Sequence, residues 1–160
     1  MYKILIAGDQ ATIRNRLKDV CKANGFTICG EATNPEQALI LSELQIPNIV
    51  ILNFRCAVKA QATVISQIAQ LGKAVKVLIC SSMALTRSTR AYIRAGACGF
   101  ISEDSENAEV QSVLQGMIAG FTLVPIKALK QPRVKLAHRA TKTYCPAKRA
   151  SDLAMAAAPS

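Results

Sequence analysis

Asn48-Ile49-Val50-Ile51-Leu52-Asn53-Phe54-Arg55 carries four consecutive branched apolar residues into one polar side chain, Asn53. The run is short, mostly β-branched and preceded by Pro47, so it reads as a fully buried strand rather than a helix. Burial on both faces is the condition of a parallel sheet covered by helices. Ligands collect at the carboxyl ends of such strands. The residue this chain places there is a neutral amide.

Outward from that strand, a strand–helix alternation repeats on both sides. Ile4-Leu5-Ile6-Ala7 is a first strand closed by Gly8-Asp9-Gln10, and 12–23 places Ile13, Leu17, Val20 and Cys21 at helical spacing. Asn24-Gly25 is a helix stop of the left-handed type. A second strand follows at 26–31. Asn34-Pro35-Glu36 then starts a helix, with Asn as cap and Pro in the first turn, carrying Ala38, Leu39, Leu41 and Leu44 up to Pro47. Beyond the opening strand come a loop, a helix over 61–71 stopped by Gly72, and a strand at 75–80 ending in Ser81-Ser82. A helix over 84–95, a strand at 98–101 and a helix over 107–119 complete the series. Five strands alternating with five helices predict an α/β fold: a doubly wound, five-stranded parallel sheet, flavodoxin-like, in the order 2-1-3-4-5.

A length of 160 residues suits one domain plus an extension. Apolar residues make up 51% but aromatics only 4%, so the core is expected from Ile, Leu, Val and Ala. No apolar run approaches the roughly 18 residues that cross a bilayer. The N-terminal apolar run is too short for a signal-peptide core, and a cytoplasmic protein is expected. Six cysteines include no C-x-x-C pair, and His138 is the one histidine, which argues against zinc. Cys29, Cys80 and Cys98 lie in apolar stretches and read as buried free thiols, fitting a reducing compartment.

The net charge of +10 is uneven. Residues 1–126 carry +3, whereas 127–160 carry +7, with eight Lys/Arg against Asp152 alone. The tail also holds Pro132, Pro146 and Pro159 and shows no sustained helical period. A basic, disordered extension to a domain of 1–126 is the expectation.

With the five strand–helix units placed, the strand ends of this chain resemble the receiver domain of bacterial two-component response regulators. Ile4 to Gln10, Pro47 to Arg55, Val77 to Ser82 and Ala95 to Phe100 carry the likeness over about residues 2–125. It is strongest to receivers that precede a helix-turn-helix output domain. In that family the first strand ends in an acidic pair that holds Mg²⁺, and the third in the aspartate that accepts a phosphoryl group. The fourth ends in Ser or Thr, and the fifth carries a phosphate-contacting lysine. By position, the acidic pair falls on Gly8 and Asp9, the phosphoacceptor on Asn53, and the hydroxyl on Ser81. The lysine falls on Glu103, and the aromatic switch residue on Phe100.

Three of these departures oppose the chemistry. A delocalised amide is not the anionic oxygen that phosphoryl transfer needs. Gly8 and Asn53 each remove a carboxylate from a site for Mg²⁺, which favours hard oxygen ligands. Glu103 puts a negative charge where a cation would neutralise phosphoryl oxygens. The resemblance therefore implies a degenerate receiver with no cofactor, Asp9 being the one weak Mg²⁺ candidate.

Plainer readings stand beside these. Asn53 is a satisfied polar strand end, or a hydrogen-bonding mimic of one receiver state. Asp9 caps the first helix or bonds Ser81. Glu103 and Asp104 form a solvated acidic turn, and Phe100 is core packing. Arg87, Arg90 and Arg94 share one face of the fourth helix at spacings of three and four, either as a solvated face or as an interaction face.

No nucleophile–base pair is visible, so an enzyme is not expected. The leading reading is an unphosphorylated receiver in phosphorelay signalling, acting by protein–protein interaction with a histidine kinase, another response regulator or a second copy. The alternative is a nucleic-acid-associated protein using the basic tail through counterion release, without a recognition helix.

Overall fold

The predicted alternation is what the chain forms. In the computed structural model, which describes residues 2–72, 75–82, 88–123 and 141–142, five strands make one sheet: β1 (Lys3–Gly8), β2 (Thr27–Ala32), β3 (Ile49–Asn53), β4 (Lys76–Ser81) and β5 (Ala97–Ser102). All neighbours pair in parallel, in the order β2-β1-β3-β4-β5. Between and after them run α1 (Ala11–Ala23), α2 (Pro35–Gln45), α3 (Val58–Ala69), α4 (Ser88–Ala95) and α5 (Asn107–Ile118).

Alternation along each strand sorts the core into two layers. Ile4, Ile6, Ile49, Ile51, Leu78 and Cys80 pack with Leu17, Val20 and Cys21 of α1 and Val110, Leu114 and Met117 of α5. Leu5, Ala7, Val50, Leu52, Val77 and Ile79 face the other way, towards Ala38 of α2, Ile65 and Ile68 of α3 and Tyr92 of α4. Each large aliphatic side chain buried this way contributes about 1.5–3 kcal/mol. Parallel register then aligns the carboxyl ends: Gly8 lies opposite Asn53, and Ser81 opposite Ser102.

Several details depart from expectation. α3 begins at Val58, one turn earlier than the pattern indicated, because Val58, Lys59 and Ala60 are exposed and belong to no buried stripe. α4 is described from Ser88, so the start expected at 84 lies outside the described residues. Leu44 does not join the core; it is 71% exposed on α2, beside Ile40. α2 runs to just before Pro47 as read, and its cap is Ile46, held left-handed at φ 47. A two-residue antiparallel pair, β6 (Phe121–Thr122) with β7 (Thr141–Lys142), was not anticipated, since neither segment is long enough to show a period. The rest of the tail expectation lies outside the described residues.

Cys98 is disulfide-bonded rather than free. Cys21, Cys29, Cys56 and Cys80 are free. Burial pushes the Cys21 and Cys80 thiols up to about 12, so both stay protonated and inert.

Candidate functional site

Asn53 closes β3 and is 2% exposed. Its Nδ2 donates to the Cys80 carbonyl at 2.9 Å and to Glu103 Oε1 at 2.8 Å. Because both neighbours are acceptors, the nitrogen of the amide must face them. That leaves Oδ1 buried and without a hydrogen-bond partner among the described residues. It lies on the Gly8 side: a Cβ built on Gly8 would sit 3.4 Å from Oδ1, 3.1 Å from Asn53 Cβ and 2.9 Å from the Asn53 carbonyl oxygen. No side chain fits at position 8 unless β1 and β3 move apart.

Glu103 follows β5 directly. Its amide donates to the Ser81 carbonyl at 3.0 Å, which turns its side chain back over the strand ends. That side chain is 11% exposed, and its Oε2 lies 3.8 Å from Arg55 Nη2. The solvated acidic turn expected at Glu103 and Asp104 is therefore corrected for Glu103, whereas Asp104 is exposed. The charge-assisted bond to Asn53 contributes about 1.5–3 kcal/mol. The Arg55 pair is mostly exposed and adds about 0–1 kcal/mol. With the Gln10 amide turned so that its oxygen faces the guanidinium, Gln10 Oε1 accepts from Arg55 Nε at 2.7 Å.

Asp9 neither caps α1 nor reaches Ser81 through a described hydrogen bond. α1 starts behind Gln10, which makes no side-chain cap, and Asp9 Oδ2 accepts from the Arg55 amide at 3.1 Å. The chain turns sharply after β3, and the Arg55 amide reaches Asp9 before α1 begins. The site thus brings together Gly8, Asp9, Asn53 and Glu103, as their positions at strand ends predicted, and adds Arg55 and Gln10, which were missed. Arg55 stands two residues past Asn53 in the opening stretch; a lone cation beside a misplaced Glu103 was the available signal.

Ser81 ends β4 beside this cluster, its carbonyl engaged by Glu103. Phe100 is fully buried in the layer with Tyr92 and Ile79, which is core packing. Arg90 and Arg94 are exposed together on α4, and Arg87 lies outside the described residues. Among the described residues no helix is long and apolar enough to cross a membrane, and no group of three His, Cys, Asp or Glu is placed to hold a metal.

Residues 4–115 match the family described as the response regulator receiver domain. The chain belongs to that family. This receiver is 27% identical over 135 residues to BvgA of Bordetella pertussis, a positive transcription regulator of virulence factors, covering 84% of this chain and 65% of BvgA. The chemotaxis protein CheY of Bacillus subtilis is 30% identical over 100 residues, covering 62% of this chain and 83% of CheY. Among solved structures, the signal receiver domain of NarL from Mycobacterium tuberculosis superposes with a TM-score of 0.68 at 21% identity, over 74% of this chain and 97% of that one. The receiver is thus a domain of two-component signalling, homologous to transcription regulators and spanning under two thirds of the length of the relative it matches at 27%.

Proposed function

We infer that this receiver signals without being phosphorylated, through contacts with other proteins. The observation that carries the reading is the pair of hydrogen bonds from Asn53 Nδ2. Position 53 is occupied by a neutral donor, and the group facing it is the carboxylate of Glu103, 2.8 Å away. A phosphoryl group entering here meets no nucleophilic oxygen and one fixed negative charge. The donor–acceptor polarity of the site is reversed: residue 53 donates and residue 103 accepts.

The residues do not fit Mg²⁺ either. Asp9 is the one carboxylate of the acidic pair, and its Oδ2 is already committed to the Arg55 amide. Asn53 Oδ1 is a neutral oxygen turned towards the closed space over Gly8. The Glu103 carboxylate is taken by Asn53 and Arg55, and the one carboxylate and one buried amide oxygen that remain fall short of a hard hexa-coordinate cation's needs. The reading therefore assigns no cofactor and no enzymatic step. It leaves the exposed Arg90 and Arg94 face of α4 as the surface for a histidine kinase, another response regulator or a second copy.

Incubation with a small phosphodonor and Mg²⁺, followed by intact mass, tests it. No adduct is expected, and light scattering before and after should give one unchanged mass. A base-labile phosphate adduct would sink the reading.

The skewed charge supports a second reading, in which the basic residues 127–160 hold nucleic acid. If so, deleting that segment abolishes retention of nucleic acid at moderate salt, while the protein-interaction reading predicts no retention by either form.

A further inference from the structure

The loop that carries Glu103 is held from its other side by a residue far away in sequence. Arg16, on α1, donates through Nη1 to the Glu103 carbonyl at 2.5 Å and through Nη2 to the Ser105 carbonyl, and reaches Asn107 Oδ1 at 3.5 Å. A planar guanidinium engaging two carbonyls fixes orientation as well as distance, which a single ammonium does not. The loop is also tied to itself. Buried Ser105 accepts through Oγ from the Ser102 amide at 2.8 Å and faces Glu109 Oε2 at 3.3 Å.

We propose that Arg16 is a strap that holds the β5–α5 loop in the one arrangement where Glu103 reaches Asn53, coupling the α1–α5 face to the strand ends. The Glu103 carbonyl is drawn to α1, its amide is bonded to β4, and its side chain has one remaining direction, over Asn53 and Arg55. Freeing the carbonyl frees the peptide to rotate and the carboxylate to leave. The same Arg16 lines a groove of about 560 Å³ between α1 and the start of α5, together with Asp19, Val20, Ala23, Asn24 and Asn107. The strap is independent of whether position 53 accepts a phosphoryl group.

Side-chain amide NMR of the full chain separates this from a local helix role. In the unmodified protein the Asn53 Nδ2 protons should be shifted and slow to exchange, which establishes the bond itself. In Arg16→Ala, those protons and the amides of Glu103 and Ser105 should exchange at least about tenfold faster, as loss of some 1.4 kcal/mol of local closure requires, while the α1 amides stay protected. Arg16→Lys, which keeps the charge but not the fork, should fall between the two. Faster exchange confined to α1, or an Asn53 signal unchanged in both variants, would overturn the strap.

Discussion

At position 53 the decisive fact is which atom is a donor. Replacing Asn53 by Asp puts an acceptor 2.9 Å from the Cys80 carbonyl and 2.8 Å from a carboxylate. We expect Asn53→Asp to lower stability by about 1–3 kcal/mol, the penalty of a buried polar group left without its partner. The new carboxyl is held protonated by its neighbours, above its unfolded value, so the loss should grow as pH rises through the ordinary Asp range. Denaturant melts at two pH values check both points. Adding Glu103→Lys should recover much of the loss, with a coupling energy above about 1 kcal/mol in the double-mutant cycle; additivity would mean that the two side chains do not interact. Gly8 is bound to the same geometry. Gly8→Ala should cost about 1–3 kcal/mol by overpacking, since its Cβ meets the Asn53 backbone oxygen at 2.9 Å. A neutral result in chemical denaturation would show that β1 and β3 separate easily. The positions of Gly8, Asn53 and Glu103 were legible in the sequence because strand ends announce themselves where apolar runs stop. Their contacts were not, because the direction of the Glu103 side chain depends on the Ser81 carbonyl and on Arg16, 87 residues away.

Among the elements, strands were easier to read than helices. β3 and β4 are continuous apolar runs, and their type needed no partner to settle it. α2 shows the reverse difficulty: its apolar and polar residues are mixed on every side, so sequence alone did not say that Leu44 faces water while Ser42 is buried and bonds back to the Ala38 carbonyl. Its C-terminus holds Ile46 at φ 47, a conformation that costs a β-branched residue about 1–2 kcal/mol. Ile46 is 63% exposed and loses little burial when shortened. Ile46→Gly should therefore raise stability by about 1 kcal/mol, seen as a higher midpoint at unchanged denaturant slope. On the edge strand β2, Glu31 accepts from Lys18 and Arg14 of α1. The Lys18 hydrogen bond is the main cause that holds its carboxyl below the ordinary Glu value; burial, the next largest effect, opposes it, and the Arg14 hydrogen bond adds to the lowering. A depressed folded value means stability that is present above the unfolded value and is lost as pH falls through the folded one. Glu31→Gln should remove that acid-side slope by lowering stability at neutral pH, while leaving it little changed at the acid end where Glu31 is already protonated, as melts from neutral to acidic pH would show.

For the whole molecule, the receiver sheet is retained, and at its strand ends residue 53 donates and residue 103 accepts. Its two apolar layers are built mainly from aliphatic and aromatic side chains and do not include the strand-end cluster of Asp9, Asn53 and Glu103. Charge is segregated: the sequence puts +7 on residues 127–160 against +3 on the rest, which bears on partners and leaves the fold untouched. A ligand that binds only the folded state raises its melting temperature, the more so the further its concentration exceeds its dissociation constant. Melting the protein with Mg²⁺ and beryllofluoride, a phosphoryl mimic that needs both an acceptor carboxylate and the metal, therefore tests the central claim most directly. The account predicts the same melting temperature with and without the pair at millimolar concentration. A rise of several degrees that requires both components together would contradict it.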